Sequence, residues 1–192
     1  MKSQIAQGAR VPFAAFTGQL VYMREFTKAA GLPADLLRWQ DTVDAMLEGV
    51  DACGSIFLMV DQAPVKAHAV HRRPGVHIDG YWDPIIRAHG GESPGHRHRS
   101  PPPRPQRSGE MHILASDHLG CAAYVGALEQ SPGVGGDCSH FDLAKLDRVE
   151  MEPAWAWSGN AMSMLHESIP VSRDCLRTVV RLNVPGCAGS AA

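Results

Sequence analysis

After Gly54, the apolar residues of this chain occur in short runs or alternate with polar residues, and Gly, Pro, Asp or Ser bounds each run. This pattern is typical of short antiparallel strands. The predicted strands cover residues 55–60, 65–71, 111–115, 120–125, 161–165 and 176–184. We therefore expect residues 54–185 to form a mainly β core.

The first fifty residues have a different pattern, which predicts helices. Apolar side chains from Leu20 to Ala30 recur at helical spacing until Gly31 and Pro33 end the run. A second apolar stripe, with Asp35 as a candidate N-cap, predicts another helix: Leu36, Trp39, Val43, Met46, Leu47 and Val50. Residues 1–53 are thus expected to be helices that support the β core.

The composition, 44% hydrophobic and 20% charged, suits one domain over residues 1–192. A formal net charge of -2 does not favour tight nucleic-acid binding, which needs clustered Lys and Arg. The sequence has no apolar signal region and no run long enough to cross a bilayer, so we expect a cytoplasmic protein without a membrane partner. The five cysteines form no C-x-x-C pair, which predicts reduced thiols.

Residues 89–109 differ from the rest of the chain, because they contain five prolines, four glycines and four arginines and have no apolar periodicity. This composition predicts a flexible basic insertion in the β core. Two interpretations remain open: a solvated insertion, or an arm that contacts an anionic substrate. Residues 186–192 are expected to be a tail that frays.

The segment HRRPGVHIDGYW places His77 and Asp79 two residues apart, directly after a predicted strand. Alternate side chains of an extended segment share a face, so this imidazole and carboxylate can bind one divalent metal ion. His166, at the end of a predicted strand, is the candidate third ligand. His112 and His118 are interpreted as histidines that form hydrogen bonds without a metal role.

The predicted last strand, LRTVVRLNV, carries Arg177 and Arg181 on one face. One interpretation is an ordinary amphipathic strand with both arginines in water, since Arg is mostly exposed. The other is that the two arginines bind the two ends of a ligand cavity.

Together these residues resemble the Fe(II)- and 2-oxoglutarate-dependent dioxygenases, whose pattern is H-x-D, a long interval, a distal His, and an Arg some ten to fifteen residues later. Here the pattern corresponds to His77, Asp79, His166 and Arg177. The resemblance covers roughly residues 54–185. It implies a double-stranded β-helix, which is a jelly-roll or cupin-like barrel, preceded by supporting helices.

The resemblance also implies site roles and cofactors. His77, Asp79 and His166 would bind Fe(II) as a 2-His-1-carboxylate facial triad. Arg177 would bind the far carboxylate of the cosubstrate 2-oxoglutarate, and Arg181 would replace it there or bind an anionic group of the substrate. A hydroxyl assists this arginine in the family, and Tyr124 is the candidate here. The implied reaction hydroxylates a substrate and releases succinate and CO2.

A different class of function stays open at this point. The same barrel is expected of a non-catalytic, cupin-like protein that binds a metal or has a structural or interaction role. The sequence also leaves the substrate open, whether a small molecule or a macromolecule. The arginines of residues 89–109 indicate an anionic partner, and a nucleic acid remains among the candidates although the net charge does not favour one.

Overall fold

The computed structural model describes residues 1–79 and 110–186. The basic insertion predicted at 89–109 and the tail beyond Gly186 lie outside the described residues. The described strands are β1 (Lys2–Ser3), β2 (Ala6–Arg10), β3 (Leu20–Thr27), β4 (Ser55–Val65), β5 (Met111–Ser116), β6 (Cys121–Ala127), β7 (Asp147–Glu150), β8 (Trp155–Asn160), β9 (Leu165–Ser168) and β10 (Cys175–Val184). The mainly β prediction is confirmed.

The strands form two antiparallel sheets. The large sheet has the order β2-β8-β5-β10-β4-β3, and β10 lies at its centre, between β5 and β4. In the small sheet, β6 pairs with β1, β7 and β9. Some strands that follow one another in the chain therefore belong to different sheets, as β5 and β6 do, and also β9 and β10.

The two faces of the large sheet pack against different partners. On one face, Val180 and Leu182 of β10 pack in a core with Trp39 and Val43 from the helical segment. On the other face, Val179 packs in a core with Cys121 and other residues of the small sheet. Because side chains alternate along a strand, Arg177 and Arg181 lie on the same side as Val179. We call this side, which faces the small sheet, the inner face.

In the N-terminal region, only one of the two expected supporting helices is present. The second predicted helix exists, as a 3-10 turn (Ala34–Trp39) followed by α1 (Gln40–Met46), although Pro33 rather than Asp35 is its N-cap. The first does not, because Leu20–Thr27 is strand β3. The pairing of β3 with β4 shifts register between Val21 and Arg24. This bulge spaces the buried residues unevenly, which imitates a helical period in the sequence.

Two strand predictions are also corrected. Strand β4 ends at Val65, and the residues after it turn, with the Ala69 N–H donating to the Lys66 carbonyl oxygen. Residues 161–164 form a tight turn rather than a strand, and β9 begins only at Leu165. His166 therefore lies inside a strand and not at its end.

The cysteines differ from the expectation of reduced thiols in one respect. Cys53 is disulfide-bonded, whereas Cys121, Cys138 and Cys175 are free. The absence of a C-x-x-C pair could not reveal this bond, because a disulfide depends on distance in space and not on spacing in sequence.

Within the described parts of the chain, none of the helices has the length and the apolar character that a membrane crossing requires.

The two leucines of β10 provide a test of this packing. Leu182 is fully buried, whereas Leu176 is 54% exposed on the same strand. We expect Leu182→Ala to lower the free energy of unfolding by about 2–5 kcal/mol, because it leaves a cavity in the core. Leu176→Ala, the matched control, should change it by less than about 0.5 kcal/mol. Urea denaturation measures both, and equal effects would contradict the assigned faces.

Candidate metal centre

Backbone pairing brings His77 and His166 together across a long sequence interval. The His77 N–H donates to the His166 carbonyl oxygen at 2.9 Å, and the His166 N–H donates back at 3.1 Å. His166 belongs to β9, which pairs with β6, so this exchange joins the His77 segment to the small sheet. Both side chains are buried.

Asp79 completes a group of three that could hold a metal ion. Its Oδ1 lies 3.7 Å from His77 Nε2, and its Oδ2 lies 3.5 Å from His166 Nε2. One ligand atom from each of the three residues lies within 4.8 Å of the others. The Asp79 side chain is 21% exposed, whereas the side chains of His77 and His166 are buried.

The Nδ1 atoms of His77 and His166 each have a backbone carbonyl oxygen as hydrogen-bond partner. His77 Nδ1 lies 2.7 Å from the Gly75 carbonyl oxygen, and His166 Nδ1 lies 3.1 Å from the Met164 carbonyl oxygen. A carbonyl oxygen only accepts, so each Nδ1–H donates, and the Nε2 atom of each ring lies on the side of the carboxylate. This is the arrangement by which outer hydrogen bonds orient the histidine ligands of metal ions.

The charge states also suit a metal ion. Burial, together with the neighbouring His166, lowers the pKa of His77 to about 4, so its ring is neutral at neutral pH. Burial raises the pKa of the Asp79 carboxyl, but the Arg181 guanidinium and His166 outweigh it and hold that pKa well below its ordinary value. A neutral imidazole and an ionised carboxylate are the forms that bind metal ions.

Arg181 contacts this group directly. Its Nη1 donates to Asp79 Oδ2 at 2.5 Å, and its Nη2 donates to Met23 Sδ at 3.4 Å. Arg181 therefore orients the carboxylate and balances its charge. Its Nε is buried and has no hydrogen-bond partner among the described residues.

Arg177 lies four residues away on β10 and is fully buried. Its Nε donates to Ser116 Oγ at 3.0 Å, and its Nη2 donates to Cys121 Sγ at 3.2 Å. Burial raises the pKa of the Cys121 thiol, so this partner stays neutral. Within residues 1–79 and 110–186, Nη1 has no hydrogen-bond partner and no carboxylate forms an ion pair with Arg177. The interpretation that both arginines lie in water is wrong.

The hydroxyl beside Arg177 belongs to Ser116 and not to Tyr124. The Tyr124 hydroxyl instead donates to Glu167 Oε1 at 2.6 Å. Ser116 lies on β5, which pairs with β10 at Val179. Its role was missed because serine is common in strands and turns, and only the pairing register identifies it.

The interpretation of His112 as a hydrogen-bonding histidine is wrong, because neither of its ring nitrogens has a hydrogen-bond partner among the described residues. His112 is fully buried on β5, and its Nε2 lies 4.0 Å from Asp79 Oδ2. Its ring meets that of His166 edge to face, with centroids 5.4 Å apart. Directly opposite on β10 lies Asn183, also buried. The sequence signal was the alternation of β5, which places His112 and Ser116 on one face.

The donor set of His77, Asp79 and His166 fits a divalent transition metal. Two imidazoles and one carboxylate form a ligand set that metal ions use, in non-haem Fe(II) sites among others. The comparisons with known proteins add no family: no protein-family model matches the chain, and no curated protein matches it.

Gly120 provides a test of the space around Arg177. A methyl group added at Gly120 would lie 2.5 Å from Arg177 Cζ and 2.8 Å from both terminal nitrogens. We expect Gly120→Ala to lower the free energy of unfolding by about 1–3 kcal/mol, because the buried guanidinium must move. At Gly8, the added methyl would lie 3.5 Å from Ala156 Cβ, an ordinary contact. Gly8→Ala is therefore the control, and chemical denaturation that finds both variants as stable as the wild type would contradict this packing.

Proposed function

We propose that this protein is an Fe(II)- and 2-oxoglutarate-dependent oxygenase that hydroxylates its substrate. The observation that carries the proposal is the buried group of His77, Asp79 and His166, which shares the inner face with a buried arginine, Arg177, that has no anionic partner among the described residues. The two histidines and the aspartate supply a metal site, and Arg177 supplies a site for a carboxylate.

A double-stranded β-helix is the fold we propose to hold this site. Strands β5, β8 and β10 belong to the large sheet, whereas β6, β7 and β9 belong to the small one. The segment at His77 pairs with His166 of β9, and so adds to the small sheet between β4 and β5 in the chain. The chain thus passes back and forth between two antiparallel sheets that share a core, as it does in a jelly roll.

The three ligands would bind Fe(II) through His77 Nε2, the Asp79 carboxylate and His166 Nε2. The hydrogen bonds of the two Nδ1 atoms to carbonyl oxygens keep both rings oriented without a metal. Arg181 holds the carboxylate in place through Asp79 Oδ2. This preorganisation lowers the cost of assembling the site when the ion binds.

Arg177 would bind the far carboxylate of 2-oxoglutarate through Nη1. Its Nε and Nη2 already donate to Ser116 and Cys121, so these hydrogen bonds hold the guanidinium in one orientation before an anion binds. Burial strengthens such a charged hydrogen bond, because water does not compete for the donor. Arg181 is less suitable for binding this carboxylate, since its Nη1 already donates a hydrogen bond to Asp79.

Bound iron, with 2-oxoglutarate and dioxygen, supplies oxidative decarboxylation: one oxygen atom enters succinate as CO2 is released, and the other enters a C–H bond of the substrate. The residues described here would bind and orient the metal and the cosubstrate, and the burial of His77, His166 and Arg177 would limit the access of water.

Calorimetry under anaerobic conditions, with Mn(II) in place of Fe(II), tests the proposal without a substrate. We expect Mn(II)-loaded protein to bind 2-oxoglutarate. Asp79→Ala should weaken Mn(II) binding by at least about 100-fold, because a ligand is lost. Arg177→Met should leave Mn(II) binding unchanged and weaken 2-oxoglutarate binding by more than about 30-fold, because a buried ionic partner is lost.

Arg173→Met is the matched control, because Arg173 is exposed in the loop before β10. It should bind both ligands like the wild type. Mn(II) binding without 2-oxoglutarate binding would contradict the oxygenase proposal and favour a metal-binding protein without turnover. If both bind, succinate formation with Fe(II) provides the screen for substrates, beginning with anionic polymers because of the arginines of residues 89–109.

A further inference from the structure

Three buried side chains beside the metal group have polar atoms without hydrogen-bond partners among the described residues. They are His112, through both ring nitrogens, Arg181, through Nε, and Asn183, through Oδ1. A buried polar atom without a partner costs free energy, and most such atoms in folded proteins are paired. Unpartnered atoms of this kind therefore indicate a ligand that the residues are placed to bind.

The register of the large sheet places these side chains together. His112 of β5 is the direct partner of Asn183 on β10, and Leu114 of β5 is the partner of Arg181. Residues separated by two along a strand share a face, so His112, Arg181 and Asn183 share the inner face. They adjoin one another there, on the same side as Asp79.

Asp79 Oδ2 lies close both to the metal group and to His112 and Arg181. Asp79 Oδ2 lies 2.5 Å from Arg181 Nη1, 3.5 Å from His166 Nε2 and 4.0 Å from His112 Nε2. At 4.0 Å, His112 does not form a hydrogen bond with the carboxylate. It also lies outside the compact group of three donors. Its Nε2 therefore lies beside the metal group without a hydrogen-bond partner among the described residues.

We propose that His112 donates a hydrogen bond to a carboxylate oxygen of the ligand that occupies an open position on the metal ion. This inference rests on the proposed function and assigns a carboxylate subsite to its metal centre. Neither ring nitrogen of His112 has a hydrogen-bond partner among the described residues, so Nε2–H is available to donate to such a ligand. Arg181 Nε is the second donor of the subsite, and two donors on one side select an oxyanion over a neutral ligand.

Oxalate is the probe, because it chelates a metal ion through carboxylate oxygens and lacks the distant carboxylate of 2-oxoglutarate that Arg177 would bind. Calorimetry measures Mn(II) binding first, and then oxalate binding to the Mn(II)-loaded protein. We expect His112→Leu to bind Mn(II) within about 3-fold of the wild type and oxalate about 10- to 100-fold more weakly, which is the effect of one hydrogen bond to a charged group. His112→Gln, which keeps an N–H donor, should recover most of the oxalate affinity.

His118→Leu is the control, because His118 contacts Asp117 and lies away from the metal group. If His112→Leu weakens Mn(II) binding by 100-fold, His112 is a metal ligand and the proposal is wrong. Oxalate affinity that is the same in His112→Leu and wild type, or wild-type protein that binds Mn(II) but not oxalate, also overturns it. Oxalate binding that depends on His112, without any binding of 2-oxoglutarate, would retain the subsite and reject the proposed oxygenase.

Discussion

The pair of backbone hydrogen bonds between His77 and His166 is the interaction on which the rest of the site depends. It sets the two imidazoles side by side and determines where Asp79, two residues further on, reaches the same point. The pairing of β9 with β6 then fixes this segment to the small sheet. Because the ligands are positioned by backbone pairing, their geometry depends on the fold and not on flexible side chains alone.

The inner face of the large sheet is unusual because it buries two arginines. A buried guanidinium is costly unless ionic and hydrogen-bonding partners compensate for lost hydration. Arg181 has such a partner in Asp79. Arg177 has only a hydroxyl and a neutral thiol among the described residues. The uncompensated charge of Arg177 is therefore the physical reason to expect an anionic ligand there, independently of any resemblance in sequence.

The β-rich fold and the placement of His77 and Asp79 together could be predicted because each depends on a local pattern, whereas His166 was assigned through the order of residues in the resembled family. Strand alternation and turn residues locate β4, β5, β6 and β10, and the H-x-D spacing places two ligands on one face. The first helix was predicted wrongly because a bulge in β3 broke the strand alternation. Ser116 was missed and His112 was interpreted wrongly, because the surroundings of both depend on which strands pair and in which register, and a single sequence does not contain that information.

The most direct test is a crystal structure of the protein with Mn(II) and 2-oxoglutarate, in which anomalous scattering locates the ion. The account predicts one ion bonded to His77 Nε2, Asp79 and His166 Nε2, with the far carboxylate of 2-oxoglutarate on Arg177. An ion bound elsewhere, or a site at these three residues that stays empty at saturating Mn(II), would contradict it.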